Sequence, residues 1–537
     1  MSPAPETPAP GTQTSPALRP FQLGNLRLRN RIFMSAHGTN FPRHGEPTQQ
    51  YVDYLAERAR GGIGLVITEG THVHPTSGGP WMIHMWRPDI EPALQRLTDG
   101  VHAHGGAVFA QLMHNGRQNE PVMLGRSTVG PSPVRDPAHT TAPHALSRPE
   151  IAELVESFAA AAARAAMTGF DGVEIHAGHG YLVEQFMSPF MNQRDDEYGG
   201  SHANRLRFAR DVMRAVLDRA GDQIVVGARL TAFESVPGGI DRAEALDFVA
   251  ELAAEGLHFV SVTAGQHATP LLVVPPAGTP TLPFLDDIRA VRKTVDCAVF
   301  ASHRVRRVAD ADQVVSEGIA DLVNMSRAHI ADPALVNKAA AGQEELTRPC
   351  IGCVQGCRGQ LVLNLPIGCL VNPRAGREGK HTLTPATDPI RIAVVGGGVA
   401  GLQFASTAAE RGHHVTLFER QPKLGGTFAR SASLPGREEF AGFTDTLTAE
   451  LGQHGVDVRL ASNVDDLRID GRAVSFLHDG WPQALGDVDV LVVIEPAVPR
   501  DAGPWQELDD VIKLGDCDAP GLAVEIVHQA YVTALEI

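Results

Sequence analysis

The sequence has little cysteine, no excess of positive charge and no long apolar run. Six cysteines in 537 residues are too few for a disulfide-built secreted fold, so a reducing, cytoplasmic location is expected. Lys and Arg number 46 against 62 Asp and Glu, a net charge of −16, and no basic patch stands out. Nucleic acids and anionic membranes are therefore not expected partners. No run of about 18 apolar residues occurs, so no membrane span is predicted.

The first twenty residues lack the features of a targeting segment. They are rich in Pro, Ala and Thr, with neither an apolar core nor a basic start, which predicts a disordered tail over 1–20 instead of a signal peptide. The whole chain is 43% apolar and 20% charged, as in globular proteins. Its length exceeds one ordinary domain of about 150 residues.

Short apolar runs alternate with helical patterns between residue 21 and about 330. This alternation predicts parallel strands joined by right-handed crossovers, and eight such units predict a TIM barrel within an α/β protein. In that fold the chemistry lies at the C-terminal ends of the strands. The predicted strands cover residues 31–36, 64–70, 106–112, 172–176, 224–230, 258–265, 297–302 and 321–327.

Polar residues follow the predicted strands where each strand ends. Gln111 closes the third strand and Arg229 the fifth, while His176, His179 and Tyr181 follow the fourth. Two histidines can donate hydrogen bonds to a carbonyl oxygen, and a phenol close by can supply a proton. A metal held by the histidine pair is the competing interpretation, but no carboxylate or third imidazole nearby in the sequence completes a ligand set.

Strands seven and eight lead into small and basic residues. Many TIM barrels bind a phosphate group between the loops that follow these two strands. Small side chains leave room for the phosphate, and arginine balances its charge. The predicted phosphate residues are Ser302, His303, Arg304, Ser326 and Arg327.

Four motifs at these strand ends read LGNLRLRNRIFMSAHGTN, QLMHNGRQ, GVEIHAGHGYLVEQFMSPFMNQRDDEYGGSHANRLRF and DLVNMSRAHIADP. Over residues 21–345 they closely resemble the Old Yellow Enzyme family of FMN oxidoreductases. The resemblance implies FMN at the barrel mouth, with Gln111 and Arg229 against the flavin ring and the phosphate residues as predicted above. It adds Ala36, His37 and Gly70 to the FMN-binding set.

The resemblance also implies a reaction, the reduction of an activated C=C bond in a small molecule. In the family's enone reductases the pair matched by His176 and His179 polarises the substrate carbonyl. The β-carbon then accepts hydride from flavin N5, and the residue matched by Tyr181 protonates the α-carbon. His267 matches a further proton-relay histidine of the multidomain dienoyl reductases, and NAD(P)H is the implied electron donor.

Four cysteines lie close together, as Cys350-x2-Cys353-x3-Cys357-x11-Cys369. Thiolates are ligands for zinc and for iron–sulfur clusters. Structural zinc sites usually combine two paired knuckles, whereas here a tight trio precedes a lone fourth cysteine. The stretch CIGCVQGC…CLVNPRAGRE resembles the 2,4-dienoyl-CoA reductase and trimethylamine dehydrogenase branch of the family. That resemblance implies a 4Fe–4S cluster in a segment with its linker over 346–385. Neither Cys297 nor Cys517 is an expected ligand.

A glycine motif, Gly396-x-Gly398-x-x-Gly401, follows a predicted strand and opens a helix. Such glycines allow a tight turn and let a pyrophosphate approach the helix N-terminus. Glu419 ends the next strand and can accept a hydrogen bond from a ribose hydroxyl. The stretch KLGDCDAPG resembles the late Gly-Asp motif of FAD-dependent disulfide-reductase-like domains, which places Asp516 near the ribityl chain or phosphate. Residues 386–537 are thus predicted to form a Rossmann-like domain for FAD or for ADP alone.

Two departures from this branch stand out. No second dinucleotide fingerprint occurs between Gly426 and Gly515, so the usual NAD(P)H-binding domain is predicted to be missing, and the remaining site holds FAD, ADP or nothing. Gly38 stands where trimethylamine dehydrogenase has the cysteine that bonds covalently to FMN, although the adjacent His37 matches that enzyme.

The enzyme is expected to be a homo-oligomer. Two other functions stay open beside alkene reduction. One is oxidation of an N-methyl amine, with electrons leaving through the cluster to a carrier protein. A cationic substrate calls for an aromatic cage, and aromatics make up only 5% of the chain, although Trp81 and Trp86 follow strand two. The other is a non-catalytic electron-transfer or assembly subunit, against which the retained Tyr181 argues.

Overall fold

The computed structural model describes residues 15–380, 383–470, 473–478, 481–494, 511–518 and 521–537. Most of the predicted N-terminal tail lies outside these residues. The described chain begins within that tail, at a 3₁₀ turn over Pro16–Leu18. Ala17 is buried there, and its N–H donates to Asp312 at 2.8 Å.

Eight parallel strands close into a barrel, because the eighth pairs with the first as well as with the seventh. All eight predicted strands are confirmed, with ends that shift by a few residues. The strands are β1 (Ile32–Met34), β2 (Leu65–His72), β3 (Ala107–Met113), β4 (Gly172–Ala177), β5 (Val225–Thr231), β6 (Phe259–Thr263), β7 (Ala298–Ala301) and β8 (Leu322–Asn324).

Helices surround the barrel, and their buried faces pack on the outer side chains of the strands. Side-chain caps at Thr48, Ser201 and Asp241 accept hydrogen bonds from the first amides of three of them. The main helices are α1 (Gln49–Arg60), α2 (Glu91–His102), α3 (Arg148–Met167), α4 (His202–Ala220), α5 (Arg242–Ala253), α6 (Leu285–Thr294), α7 (Val308–Ser316) and α8 (Leu335–Ala340).

Aromatic side chains fill the barrel interior below its mouth. Phe259 stacks on Phe300 with ring centroids 4.2 Å apart, and Phe33 and Phe109 pack beside them. A two-stranded hairpin, Phe21–Leu23 with Leu26–Leu28, adds buried leucines to this cluster. The barrel is therefore packed at one end and open for chemistry at the other.

The C-terminal part is a second α/β unit with five parallel strands, ordered β11-β10-β9-β12-β13. The predicted Rossmann-like fold is confirmed. Its strands are β9 (Arg391–Val395), β10 (His414–Phe418), β11 (Asp457–Arg459), β12 (Val490–Val493) and β13 (Val511–Lys513). Its main helices are α9 (Val399–Glu410), α10 (Ala441–Gln453) and α11 (Ala523–Glu536). Three antiparallel strands, Ser462–Asp470, Ala473–His478 and Trp481–Asp487, lie between β11 and β12.

The cysteine segment packs between the two units. Ile351, Leu370 and Val371 are buried in the same cluster as the core of the C-terminal unit. Arg348 donates to Glu450 of α10 at 2.7 Å, which joins the start of this segment to the C-terminal unit. Within the described residues, the helices are too short or too polar to cross a membrane.

Candidate active site

A cavity of about 490 Å³ opens at the C-terminal ends of the barrel strands, within the size range of small-molecule sites. Its walls contain most of the predicted barrel residues. These are Ala36, His37, Gly70, Gln111, His176, His179, Tyr181, Arg229, His267, His303, Arg304, Ser326 and Arg327. Barrel closure therefore gathers side chains that lie almost 300 positions apart in the sequence.

A buried positive charge lies at the centre of this wall. Arg229 is 6% exposed and donates to the hydroxyls of Ser261, Thr263 and Ser302 at 3.0, 3.2 and 3.3 Å. Burial lowers the pKa of Arg229, and the neighbouring Glu174 carboxylate opposes that shift. A cation held in this way suits the N1–C2 carbonyl region of a flavin ring.

Glu174 and Gln111 form a buried polar pair beside this arginine. The Gln111 amide donates to Glu174 Oε1 at 2.7 Å, while Glu174 Oε2 is buried and has no hydrogen-bond partner in the described structure. Burial raises the pKa of Glu174, although Arg229 lowers it in part. This arrangement orients the Gln111 side chain at the cavity wall.

His176, His179 and Tyr181 form one cluster beside this arginine, since His176 pairs in register with Arg229 on the neighbouring strand. The ring centroids of His176 lie 5.1 Å from His179 and 4.8 Å from Tyr181. Burial lowers the pKa of both imidazoles well below the usual range, and Arg229 lowers it further. Burial raises the pKa of the Tyr181 phenol. At neutral pH the site therefore presents two neutral imidazoles and a protonated phenol.

The backbone of the same turn is strained. His179 adopts a φ of +58°, which is unusual for a residue other than glycine. Its Nε2 lies 2.7 Å from the Thr263 hydroxyl at the end of β6. This contact holds the imidazole toward the cavity.

The predicted phosphate residues lie where β7 and β8 end, but their side chains differ in role. His303 and Arg304 have φ values of +80° and +57°, so two successive residues of this turn are left-handed. The Arg304 guanidinium pairs with Glu439 of the C-terminal unit and donates to Pro276 O at 2.6 Å. Arg327 donates to Pro275 O at 2.7 Å. Ser302 accepts from Arg229, below the cavity wall.

Three further residues of the predicted set have contacts that define their place. His37 Nε2 lies 2.9 Å from the Tyr54 hydroxyl, and burial lowers the His37 pKa to about 4. A Cβ on Gly70 would lie 1.8 Å from Met113 Sδ, so a larger residue there would displace the Met113 side chain. His267 lies at the cavity rim, 37% exposed, with Nδ1 3.6 Å from Asp136 Oδ1. Burial opposes ionisation of Asp136, but His267, the Ala138 amide and Arg117 together lower its pKa to about 2.

The four predicted ligand cysteines line one small cavity that adjoins the first, since Cys350 and Cys357 line both. All four thiols are free. Burial and the neighbouring sulfurs raise the pKa of Cys353 to about 12, so this group needs a metal cation to become a set of thiolates.

The positions of the cysteine sulfurs bear on the choice between a single zinc ion and an iron–sulfur cluster. A tetrahedral zinc ion with Zn–S bonds of about 2.3 Å would hold its sulfurs about 3.8 Å apart. Within the described residues, no three of these sulfurs lie inside 4.8 Å of one another. A single zinc ion would therefore require these cysteine side chains to move closer together.

The glycine motif of the C-terminal unit forms the predicted turn between β9 and α9. Gly396 has a φ of +111°, and Gly398 directly precedes the helix. The Glu419 carboxylate accepts from Gly397 N at 2.8 Å and so lies against this turn. Asp516 follows Gly515, and a Cβ added to Gly515 would lie 3.9 Å from Ala400 Cβ at the start of α9. The structure thus brings the three glycines and Glu419 to one helix end, and Asp516 follows a residue close to that end.

Comparison with known proteins agrees with this geometry. Residues 17–345 match the model of the NADH:flavin oxidoreductase / NADH oxidase family. The chain belongs to this family. It is accordingly a flavin oxidoreductase, and FMN is the cofactor that the family supports. Residues 377–494 match a second family, pyridine nucleotide-disulphide oxidoreductase.

Two curated relatives and one solved structure illustrate the relationship. A metal reductase of Desulforamulus reducens is 37% identical over 444 residues, which cover 82% of this chain and 66% of that protein. An NADH oxidase of Thermoanaerobacter brockii is 37% identical over 501 residues, 92% of this chain and 75% of the relative. The chain thus spans about two thirds to three quarters of their length. The fold matches 2-naphthoyl-CoA reductase with a TM-score of 0.87 at 23% identity, over 97% of this chain and 99% of that one.

The flavin oxidoreductase site contains residues that sequence reasoning missed. Glu174 lies two positions before His176 on β4, so strand alternation could have placed both on one face. Asp136 and His139 lie in an irregular stretch between β3 and α3, where no periodic signal exists. Glu439 of the C-terminal unit pairs with Arg304, a contact between residues too far apart in the sequence to be predicted from motif spacing.

Two glycines of the dinucleotide turn provide a matched pair of substitutions. A Cβ on Gly401 would lie 1.9 Å from Gly396 O, whereas a Cβ on Gly398 would meet no atom of the described residues within 4 Å. We expect Gly401→Ala to destabilise the C-terminal unit by about 1–3 kcal/mol, because overpacking strains the backbone. Gly398→Ala should leave thermal unfolding unchanged but weaken ADP binding, measured by calorimetry. Equal melting temperatures for the two variants would contradict the close packing of this turn.

Proposed function

We propose that this chain reduces a C=C bond conjugated to a carbonyl group, with NAD(P)H as electron donor and FMN as cofactor. The observation that carries the proposal is the cluster of His176, His179 and Tyr181. It combines two neutral imidazole donors with a protonated phenol in one cavity. Donors held in a buried site stabilise negative charge that develops on a carbonyl oxygen.

Each residue then has a defined role. His176 and His179 hold the carbonyl oxygen of the substrate by N–H donation and withdraw electron density from the β-carbon. Tyr181 holds the proton for the α-carbon at its hydroxyl oxygen. Gln111 and Arg229 hold the flavin ring, and the loops after β7 and β8 hold its phosphate. When bound, FMN supplies hydride chemistry to the β-carbon.

The cysteines extend the proposal to a second cofactor. We assign Cys350, Cys353, Cys357 and Cys369 to a 4Fe–4S cluster, supported by the cavity that all four line. The corresponding division is 21–345 for the FMN barrel, 346–385 for the cluster segment and linker, and 386–537 for an FAD- or ADP-binding unit. An electron-carrier protein is the proposed partner of the cluster.

The proposal is tested by following the two half-reactions without oxygen. NADH or NADPH should bleach the flavin absorbance of the purified protein, and 2-cyclohexenone or a cinnamate ester should restore it. In deuterated water, mass spectrometry should find one deuterium on the α-carbon of the saturated product. Flavin that NAD(P)H bleaches but neither alkene reoxidises would refute alkene reduction.

Oxidation of an N-methyl amine is the second candidate, and one observation favours it. Trp81 lines the cavity together with Tyr181, so aromatic faces reach the substrate space. Trp86, the other predicted aromatic, stacks on His84 with ring centroids 5.7 Å apart. Bleaching of the oxidised flavin by N,N-dimethylglycine, with no response to either alkene, would select this function.

A further inference from the structure

A group of three potential metal ligands lies at the rim of the active-site cavity. Asp136 and His139 come from the stretch after β3, and His267 follows β6. Asp136 Oδ1 lies 3.5 Å from His139 Nδ1 and 3.6 Å from His267 Nδ1. All three ligand atoms lie within 4.8 Å of one another. Ligand atoms around a tetrahedral zinc ion, with bonds of about 2.0–2.1 Å, lie about 3.3 Å apart, so the observed spacing is close to that of an occupied site.

Three buried polar atoms of this group have no hydrogen-bond partner in the described structure. Both imidazole Nδ1 atoms are buried and unpaired in the described structure, and so is Asp136 Oδ2. Asp136 itself is only 1% exposed. Buried polar atoms without partners cost free energy, and a shared cation would satisfy both nitrogens together.

The remaining contacts of Asp136 are to one backbone amide and one arginine. Its Oδ1 accepts from Ala138 N at 2.9 Å, which fixes the carboxylate plane. Arg117 Nε lies 3.7 Å from Oδ2, the oxygen that faces away from the imidazole pair. One carboxylate oxygen thus balances the arginine, and the other faces the two histidines.

We propose that Asp136, His139 and His267 bind one divalent transition-metal cation of the zinc type. Two imidazoles and one carboxylate form a common ligand set for such ions. His139 and His267 also line the 490 Å³ cavity, so a further coordination position faces the substrate space. An oxygen ligand such as a carboxylate or carbonyl group would occupy that position. The assignment replaces the proton-relay role of His267 and is independent of the proposed reaction.

The test uses the whole protein with its cofactors, after treatment with a chelator and without oxygen. Calorimetric titration with Zn²⁺ should find one site per chain, and Co²⁺ should give visible ligand-field bands. His139→Gln and Asp136→Asn should each weaken Zn²⁺ binding at least tenfold. His144→Gln is the matched control, because His144 is exposed beside Glu150 and lies outside the group.

Three results would overturn the proposal. They are no Zn²⁺ binding by the unaltered protein, equal binding by all variants, and Co²⁺ spectra dominated by sulfur-to-metal charge transfer. The last would place the ion on the cysteines. Retained flavin absorbance in each variant shows that the barrel is folded, so a loss of binding reports on the ligands.

Discussion

Replacement of Tyr181 by phenylalanine should slow alkene reduction by about 10²–10⁴-fold, the range for loss of a general acid. The change removes one hydroxyl and keeps the ring that packs 4.8 Å from His176, so the cavity should hold its shape. Burial raises the pKa of the phenol, which keeps the proton available throughout the neutral range. Stopped-flow measurement of flavin reoxidation by 2-cyclohexenone gives the rate.

The reductive half-reaction separates this effect from general damage. NAD(P)H should reduce the variant at the normal rate, because hydride delivery to the flavin needs no proton from Tyr181. Tyr198→Phe is the matched control, since its hydroxyl is half-buried near Asp211 and away from the cavity. If Tyr181→Phe reoxidises as fast as the unaltered protein, another group supplies the proton and the assignment is wrong.

Replacement of Cys369 by alanine should abolish the iron–sulfur cluster. Cys369 lies between the two units, packed against the core of each, and its carbonyl accepts from His528 of α11 at 2.8 Å. A cluster of this type needs four cysteine ligands, and the other three come from one short stretch. We expect iron content to fall from about four per chain to near zero, measured by metal analysis of protein purified without oxygen.

Cys297→Ala is the control for this prediction. Cys297 is half-buried beside β7 and burial raises its pKa to about 11, yet it lies outside the ligand group. The Cys297→Ala protein should therefore retain all of its iron. One zinc ion per chain in the unaltered protein, lost in Cys369→Ala, would contradict the cluster and restore the single-ion hypothesis.

Several features of the fold follow from local sequence. Apolar runs of four to eight residues between amphipathic stretches predict the barrel strands, because each strand is buried on both faces. The dinucleotide turn is equally local, since Gly396, Gly398 and Gly401 act within one strand–turn–helix unit. The ligand cysteines are also close in sequence, and their spacing alone argues against paired zinc knuckles.

Other features depend on contacts between distant segments. The ion pair between Arg304 and Glu439 joins the barrel to the C-terminal unit. The Arg304 guanidinium, which the sequence predicts as a phosphate ligand, therefore pairs with a carboxylate of the protein. The Met113 side chain on the neighbouring strand packs against Gly70, a contact that the local sequence does not reveal.

The sequence by itself determined the family, the two α/β units and the residue types at the strand ends. Only the tertiary structure decided which of these side chains meet, that the four cysteines line one cavity, and that Asp136 and His139 face His267. The physical reason is that hydrophobic periodicity and turn chemistry act over a few residues. Distances between side chains instead depend on how the strands close the barrel and on how the two units pack together.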